Sequence, residues 1–72
     1  MDLLTERLLD CQGRVTHTLV LEIDGLVKVT IHATDHSPGV TCRIDPQTGK
    51  VLTPGVHVTE SVVAAARCLQ LL

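Results

Sequence analysis

Cysteine and histidine are the side chains of this sequence best suited to metal binding. The chain contains three cysteines and four histidines, and thiolate and imidazole are the usual protein ligands of zinc. These residues are Cys11, Cys42, Cys68, His17, His32, His36 and His57. No two cysteines have the close spacing of a zinc site, and among the histidines only His32 and His36 lie near each other. We therefore expect no metal and no other cofactor.

Two other segments match catalytic motifs only in part. In Asp35-His36-Ser37 the three side chains follow one another directly, and side chains so close in a row rarely align as a catalytic relay. Residues 44–51 contain a Gly-Lys pair, but Ile44 stands where a phosphate-binding loop has its first glycine. Val51 stands where that loop needs Ser or Thr to bind magnesium. We therefore expect no catalytic residues and no enzymatic activity.

Length and composition limit the class of protein. The chain has 72 residues, a net charge of −2 and 44% hydrophobic residues, which is typical of one small folded domain over residues 1–72. It contains no Phe, Tyr or Trp, so it lacks the aromatic faces of single-strand stacking platforms and of cages for methylated cations. No apolar run approaches the roughly 18 residues of a membrane helix. The odd number of cysteines without a signal peptide predicts a cytoplasmic protein with no membrane partner.

The first segment has the spacing of a helix. Leu4, Leu8 and Cys11 recur at intervals of four and three residues, with Asp2 ahead of them as a candidate N-cap. Gly13 follows where a helix C-terminus favours glycine. We therefore expect a short amphipathic helix between Asp2 and Gly13.

Two strands follow, because apolar residues alternate with mostly polar ones over residues 15–23 and 27–33. A two-residue loop between them would mix the two faces of the hairpin. A three-residue loop with Gly25 in the left-handed conformation instead pairs Leu21 with Val27. The same register pairs Leu19 with Val29, Thr18 with Thr30 and Val20 with Lys28. We therefore expect the three-residue loop.

A third strand and a shorter fourth strand complete the predicted sheet. Val40, Cys42 and Ile44 alternate with polar residues, which indicates another half-buried strand. Residues 45–49 form a strong turn signal, after which residues 50–52 fit a short strand hairpinned to the third.

The alternation of side chains along the strands also places the candidate metal ligands on different faces of the sheet. Cys42 and His17 fall on the apolar face, whereas His32 falls with Thr30 on the polar face. Groups on opposite faces cannot share one metal ion. We expect Cys42 to lie in the core and His17 to be a partly buried imidazole with a structural place in the fold. The alternative is that titration of His17 makes stability depend on pH.

The last element is a helix. Thr59 is a candidate N-cap with Glu60 in the first turn. The apolar stripe of this helix consists of Val62, Ala65, Ala66, Leu69 and Leu72. The expected fold is thus α+β, a two-layer α-β-β-β(-β)-α arrangement with an antiparallel sheet and both helices on one face.

This order of elements resembles the double-stranded RNA-binding domain, and Ala-Ala-Ala-Arg-Cys-Leu at residues 64–69 is similar to the alanine-rich last helix of that family. The resemblance implies a nucleic-acid-binding fold. That family presents lysines at the start of its last helix, where this chain has Thr59, Glu60 and Ser61. No functional residue is therefore carried over from the family.

Two surfaces remain as candidates for partner binding: the polar sheet face and the C-terminal leucines. The candidate residues are Thr18, Val20, Leu26, Lys28, Thr30, His32, Arg43 and Leu71. By elimination, we expect a small non-enzymatic protein-binding or regulatory module that occupies a partner surface, with a homodimer as one form of association. One alternative is a nucleic-acid-binding domain, and another is a purely structural subunit of a larger assembly. Nucleic-acid binding requires the six scattered cations to converge, whereas we expect Arg7 and Arg67 on helices behind the sheet.

Overall fold

The computed structural model describes residues 4–71, which form five strands followed by one helix. The strands are β1 (Thr5–Leu9), β2 (Val15–Leu21), β3 (Val27–Ile31), β4 (Val40–Asp45) and β5 (Lys50–Val51), and the helix is α1 (Glu60–Leu71). The strands form one antiparallel sheet in the order β1-β2-β3-β4-β5. The expected α+β class and antiparallel sheet are confirmed. These residues include no helix with the length and apolarity needed to cross a membrane.

The predicted first helix is wrong over the described residues, because residues 5–9 form β1 instead. This strand pairs with β2 from Thr5 opposite Val20 to Leu8 opposite His17. The residues that gave the segment its helical spacing do not form a buried stripe, since Leu4 and Cys11 are exposed and only Leu8 packs against the core. Pairing with β2 outweighs the weak local preference for a helix. The predicted N-cap Asp2 lies outside the described residues.

Asp10 gives the local reason why this segment turns back after five residues. Its carboxylate accepts the backbone N–H groups of Gln12 and Arg14 at 2.8 and 3.0 Å, and Gly13 adopts a φ of 82°. Such a side-chain-stabilised turn competes with helix formation. With one helix in the described part of the chain, neither a second helix on the same face nor the order of elements of the double-stranded RNA-binding domain is found.

The central hairpin has the predicted register. Leu21 lies opposite Val27, and the pairs Leu19–Val29, Thr18–Thr30 and Val20–Lys28 follow. Gly25 has a φ of 86°, and its N–H donates to the carbonyl of Glu22 at 3.0 Å. The three-residue loop is thus confirmed, with glycine at the position where a Cβ would strain the backbone.

The remaining strands also follow their predicted patterns. The third predicted strand is β4, and Cys42 is buried in the core with 1% exposure. The short fourth strand is β5, which places Val51 opposite Ile44. Beyond β5, the Leu52 N–H donates to the Arg43 carbonyl at 2.9 Å and extends this pairing.

The hydrophobic core lies between one face of the sheet and α1. The fully buried residues of this core are Leu19, Val27, Val29, Cys42, Ile44, Val62, Ala66 and Leu69. The predicted stripe of the last helix is therefore confirmed at Val62, Ala66 and Leu69, with Ala65 partly buried against it. Leu72, the last member of that stripe, lies outside the described residues. The helix thus closes one face of the sheet.

Candidate binding site on the uncovered sheet face

The sheet face opposite α1 carries no helix within residues 4–71. We call this surface the outer face. The strand residues on it, assigned from register and from the alternation of side chains along each strand, are Thr5, Arg7, Thr16, Thr18, Val20, Lys28, Thr30, Thr41, Arg43, Asp45 and Lys50. Glu22, Leu26 and His32 border it at the ends of β2 and β3. The side chains are half-buried between neighbours or exposed.

Strand register arranges the outer face in rows that run across the sheet. One row is Arg7, Thr18, Thr30 and Thr41, in order from β1 to β4. The adjacent row is Thr5, Val20, Lys28 and Arg43. Side chains at paired positions lie about 5 Å apart at Cβ. Hydroxyl groups thus occupy the middle of this surface, and positive charges lie around them.

Two polar contacts order the border of the outer face. The His32 Nε2 and Thr18 Oγ1 atoms form a hydrogen bond of 2.8 Å. Arg43 donates from Nε to Glu22 Oε1 at 3.1 Å, with the arginine side chain 54% exposed. A pair so open to water contributes little to stability. The arginine side chain remains more than half exposed and thus accessible to a ligand.

Charge is distributed unevenly between the two sides of the molecule. The outer face carries four cations (Arg7, Lys28, Arg43, Lys50) and two carboxylates (Glu22, Asp45). The rest of the described residues carry two cations (Arg14, Arg67) and five carboxylates (Glu6, Asp10, Asp24, Asp35, Glu60). The outer face therefore has a net charge of +2, whereas the remainder of residues 4–71 has −3.

Most of the residues predicted for partner binding lie together on or beside this surface. Thr18, Val20, Lys28, Thr30 and Arg43 are on its strands, and Leu26 and His32 border it. Leu71 does not join them, because it lies on α1 in the other layer, where it is 84% exposed.

Arg7 is the outer-face residue that the sequence reasoning misplaced. The expectation that it sits on a helix behind the sheet is wrong, because β1 places Arg7 opposite Thr18. The sequence holds no clear signal for this, because Glu6 between Thr5 and Arg7 breaks the alternation of apolar and polar residues that indicates a half-buried strand.

An open groove of about 800 Å³ lies at the end of the sheet where the β1–β2 turn meets the β3–β4 connection. His17, His32 and His36 line it together with Asp10 and Arg14. Burial lowers the pKa of His17, and charge repulsion between its ring and that of His32 lowers it further. The backbone N–H groups of Arg14 and Gln12 lower the pKa of Asp10 by donating to its carboxylate.

The groove does not assemble a metal site from the described residues. Nowhere in residues 4–71 do three His, Cys, Asp or Glu side chains converge as a metal ion requires. The three cysteines are free thiols, and burial raises the pKa of Cys42, which keeps this thiol protonated. Cys11 and Cys68 are exposed.

The outer face and the groove thus differ in what they can do. In the groove, Asp10 is engaged within its own turn and His32 is hydrogen-bonded to Thr18. The outer face offers four cations and the hydroxyl groups of Thr30 and Thr41, spread across the sheet. Comparison of the chain with models of known protein families, with curated proteins and with solved structures gives no match.

Proposed function

We propose that this chain is a small, non-enzymatic protein-binding module that regulates a partner by occupying its surface with the outer face. The single observation that supports this function is the layer arrangement. Helix α1 covers one side of the sheet, and no helix covers the other side within the described residues. A cytoplasmic location belongs to the same proposal.

The chemistry of the outer face suits a protein surface. Val20 and Leu26 are half-buried apolar groups among threonines, and the threonine side chain offers both a methyl group and a hydroxyl group. Four strands with about 4.8 Å between neighbours and about 3.3 Å per residue give a flat area roughly 15 Å on each side. This area accommodates one helix of about 10 Å diameter or a small sheet.

Site-specific photo-crosslinking tests this function. A photoreactive amino acid at Thr30 lies in the centre of the outer face, and the same group at Ala64 lies on the exposed side of α1. In cells that produce the chain, we expect a discrete protein adduct from the Thr30 position and none from the Ala64 position. Both variants should retain the circular dichroism spectrum of the parent chain.

The outcome that contradicts the proposal is equally specific. Equal labelling from both positions, or no protein adduct from the Thr30 position in a folded variant, would show that the outer face does not dock a protein. As a second measurement, V20E and L26E place carboxylates within the apolar part of the face. We expect each to reduce the yield of the Thr30 adduct at least several-fold.

A further inference from the structure

We propose that the partner surface recognised by the outer face is an acidic protein surface, with carboxylates that meet Arg7, Lys28 and Arg43. This inference rests on the proposed function and specifies its partner. It follows from the separation of charge, since the outer face has a net charge of +2 within a chain whose total is −2. Complementary charge at an interface selects the partner and speeds association.

The same separation argues against a second copy of this chain as the occupant of the outer face. Face-to-face stacking of two copies would bring Arg7, Lys28 and Arg43 of one protomer close to the same residues of the other. Like charges brought together at an interface are unfavourable. The charge pattern therefore favours a different protein over a homodimer formed through this face.

Nucleic acid fits this surface less well than an acidic protein. The described sheet has five strands, and its four spacings of about 4.8 Å make it roughly 19 Å wide. The major groove of duplex DNA is about 12 Å wide. The chain has no aromatic residue on which unpaired bases could stack. The net charge of −3 on the rest of the described residues also opposes approach to a phosphate backbone.

The positions of the cations define how carboxylates would be bound. Lys28 and Arg43 occupy paired positions on neighbouring strands, about 5 Å apart at Cβ. Arg7 lies two strands away from Lys28 on β1 and in the adjacent row, which corresponds to about 12 Å. The hydroxyl group of Thr30 lies between them and can donate to the same carboxylates, whereas that of Thr18 is hydrogen-bonded to His32. The surface thus fits two or more carboxylates spaced about 12 Å apart.

Titration with a defined acidic probe tests this inference. The probe is a 12-residue peptide of alternating Glu and Ala, added to ¹⁵N-labelled protein at low salt and followed by amide chemical shifts. We expect the shifts to concentrate on β2, β3 and β4 at outer-face positions. Because each exposed ion pair contributes modestly, R7E/K28E should weaken binding roughly tenfold. The matched variant R14E/R67E changes the total charge equally and should weaken it less than threefold.

Three results would overturn the inference. These are equal weakening by the two charge-reversal variants, peptide-induced shifts confined to other surfaces, and tighter binding of a 20-base-pair DNA duplex through the outer face. Circular dichroism establishes that each variant is folded. Failure here is distinguishable from failure of the proposed function, because a protein adduct at Thr30 would still establish protein binding by a partner that is not acidic.

Discussion

Replacement of Leu19 and of Val20 by alanine tests the layer arrangement on which the binding surface depends. The two residues are neighbours on β2, yet Leu19 is fully buried under α1 whereas Val20 lies half-buried on the outer face. Both substitutions leave the backbone of the same strand intact. Any difference in their effects therefore reports on what covers each side of the sheet.

The expected magnitudes differ clearly. Leu19→Ala removes three carbon atoms from the centre of the core, and losses of about 2–5 kcal/mol are usual for such a change. Val20→Ala removes two methyl groups from an uncovered sheet position, where the cost is at most about 1 kcal/mol. A domain of 72 residues has a total stability of about 4–11 kcal/mol. Leu19→Ala therefore removes a large fraction of this stability.

Urea unfolding followed by circular dichroism measures both effects. With a slope of about 1 kcal/mol per molar urea, we expect the midpoint to fall by about 2–5 M for Leu19→Ala and by less than about 1 M for Val20→Ala. If Leu19→Ala is already unfolded in water, Leu19→Val provides a milder change on the same face. Equal losses from the two sites would refute the assignment of the outer face as uncovered.

Two further predictions concern turns and pH. In thermal melts, Gly49→Ala should lower the melting temperature more than Gly25→Ala does. Both glycines have positive φ, but only at Gly49 would a Cβ lie 3.1 Å from Val63 Cγ1 on α1. Equal losses at the two positions would contradict this packing. His17 has a pKa below its usual 6.5, so the folded state binds a proton at His17 less well than the unfolded state does. The free energy of unfolding is therefore highest above about pH 6.5 and declines as the pH falls below that value. The melting temperature should thus fall on acidification from about pH 7.5 to 5.5, and His17→Gln should reduce this dependence; an unchanged pH profile in that variant would contradict the role of His17.

Local sequence signals were sufficient for the central part of the fold. The hairpin register followed from the requirement that apolar residues share one face, together with a turn that places Gly25 at positive φ. Both signals act over a few residues and point to the same structure. The apolar stripe of α1 was predictable for the same reason, since Val62, Ala66 and Leu69 recur with the period of a helix.

The first segment could not be assigned by local signals alone. Its leucines fit a helix, and the three consecutive polar residues Thr5, Glu6 and Arg7 give β1 no alternating pattern that would indicate a strand. The choice depends on pairing with β2, which lies beyond the turn at Asp10. The residue pattern within the segment carries no information about this tertiary contact. The error carried over to the candidate site, because it removed Arg7 from the outer face.

The assignment of β1 as an edge strand also decides which part of the sheet can dock a partner. An open edge offers unpaired backbone groups to another strand, and charged side chains on an edge strand oppose such pairing. Glu6 and Arg7 are both exposed near the middle of β1. If two copies of β1 paired in antiparallel fashion with Arg7 at the centre, the arginine of one copy would lie opposite the arginine of the other. With Glu6 at the centre, two carboxylates would lie opposite each other. The central charges thus disfavour self-association at this edge, while Arg7 adds its positive charge to the outer face.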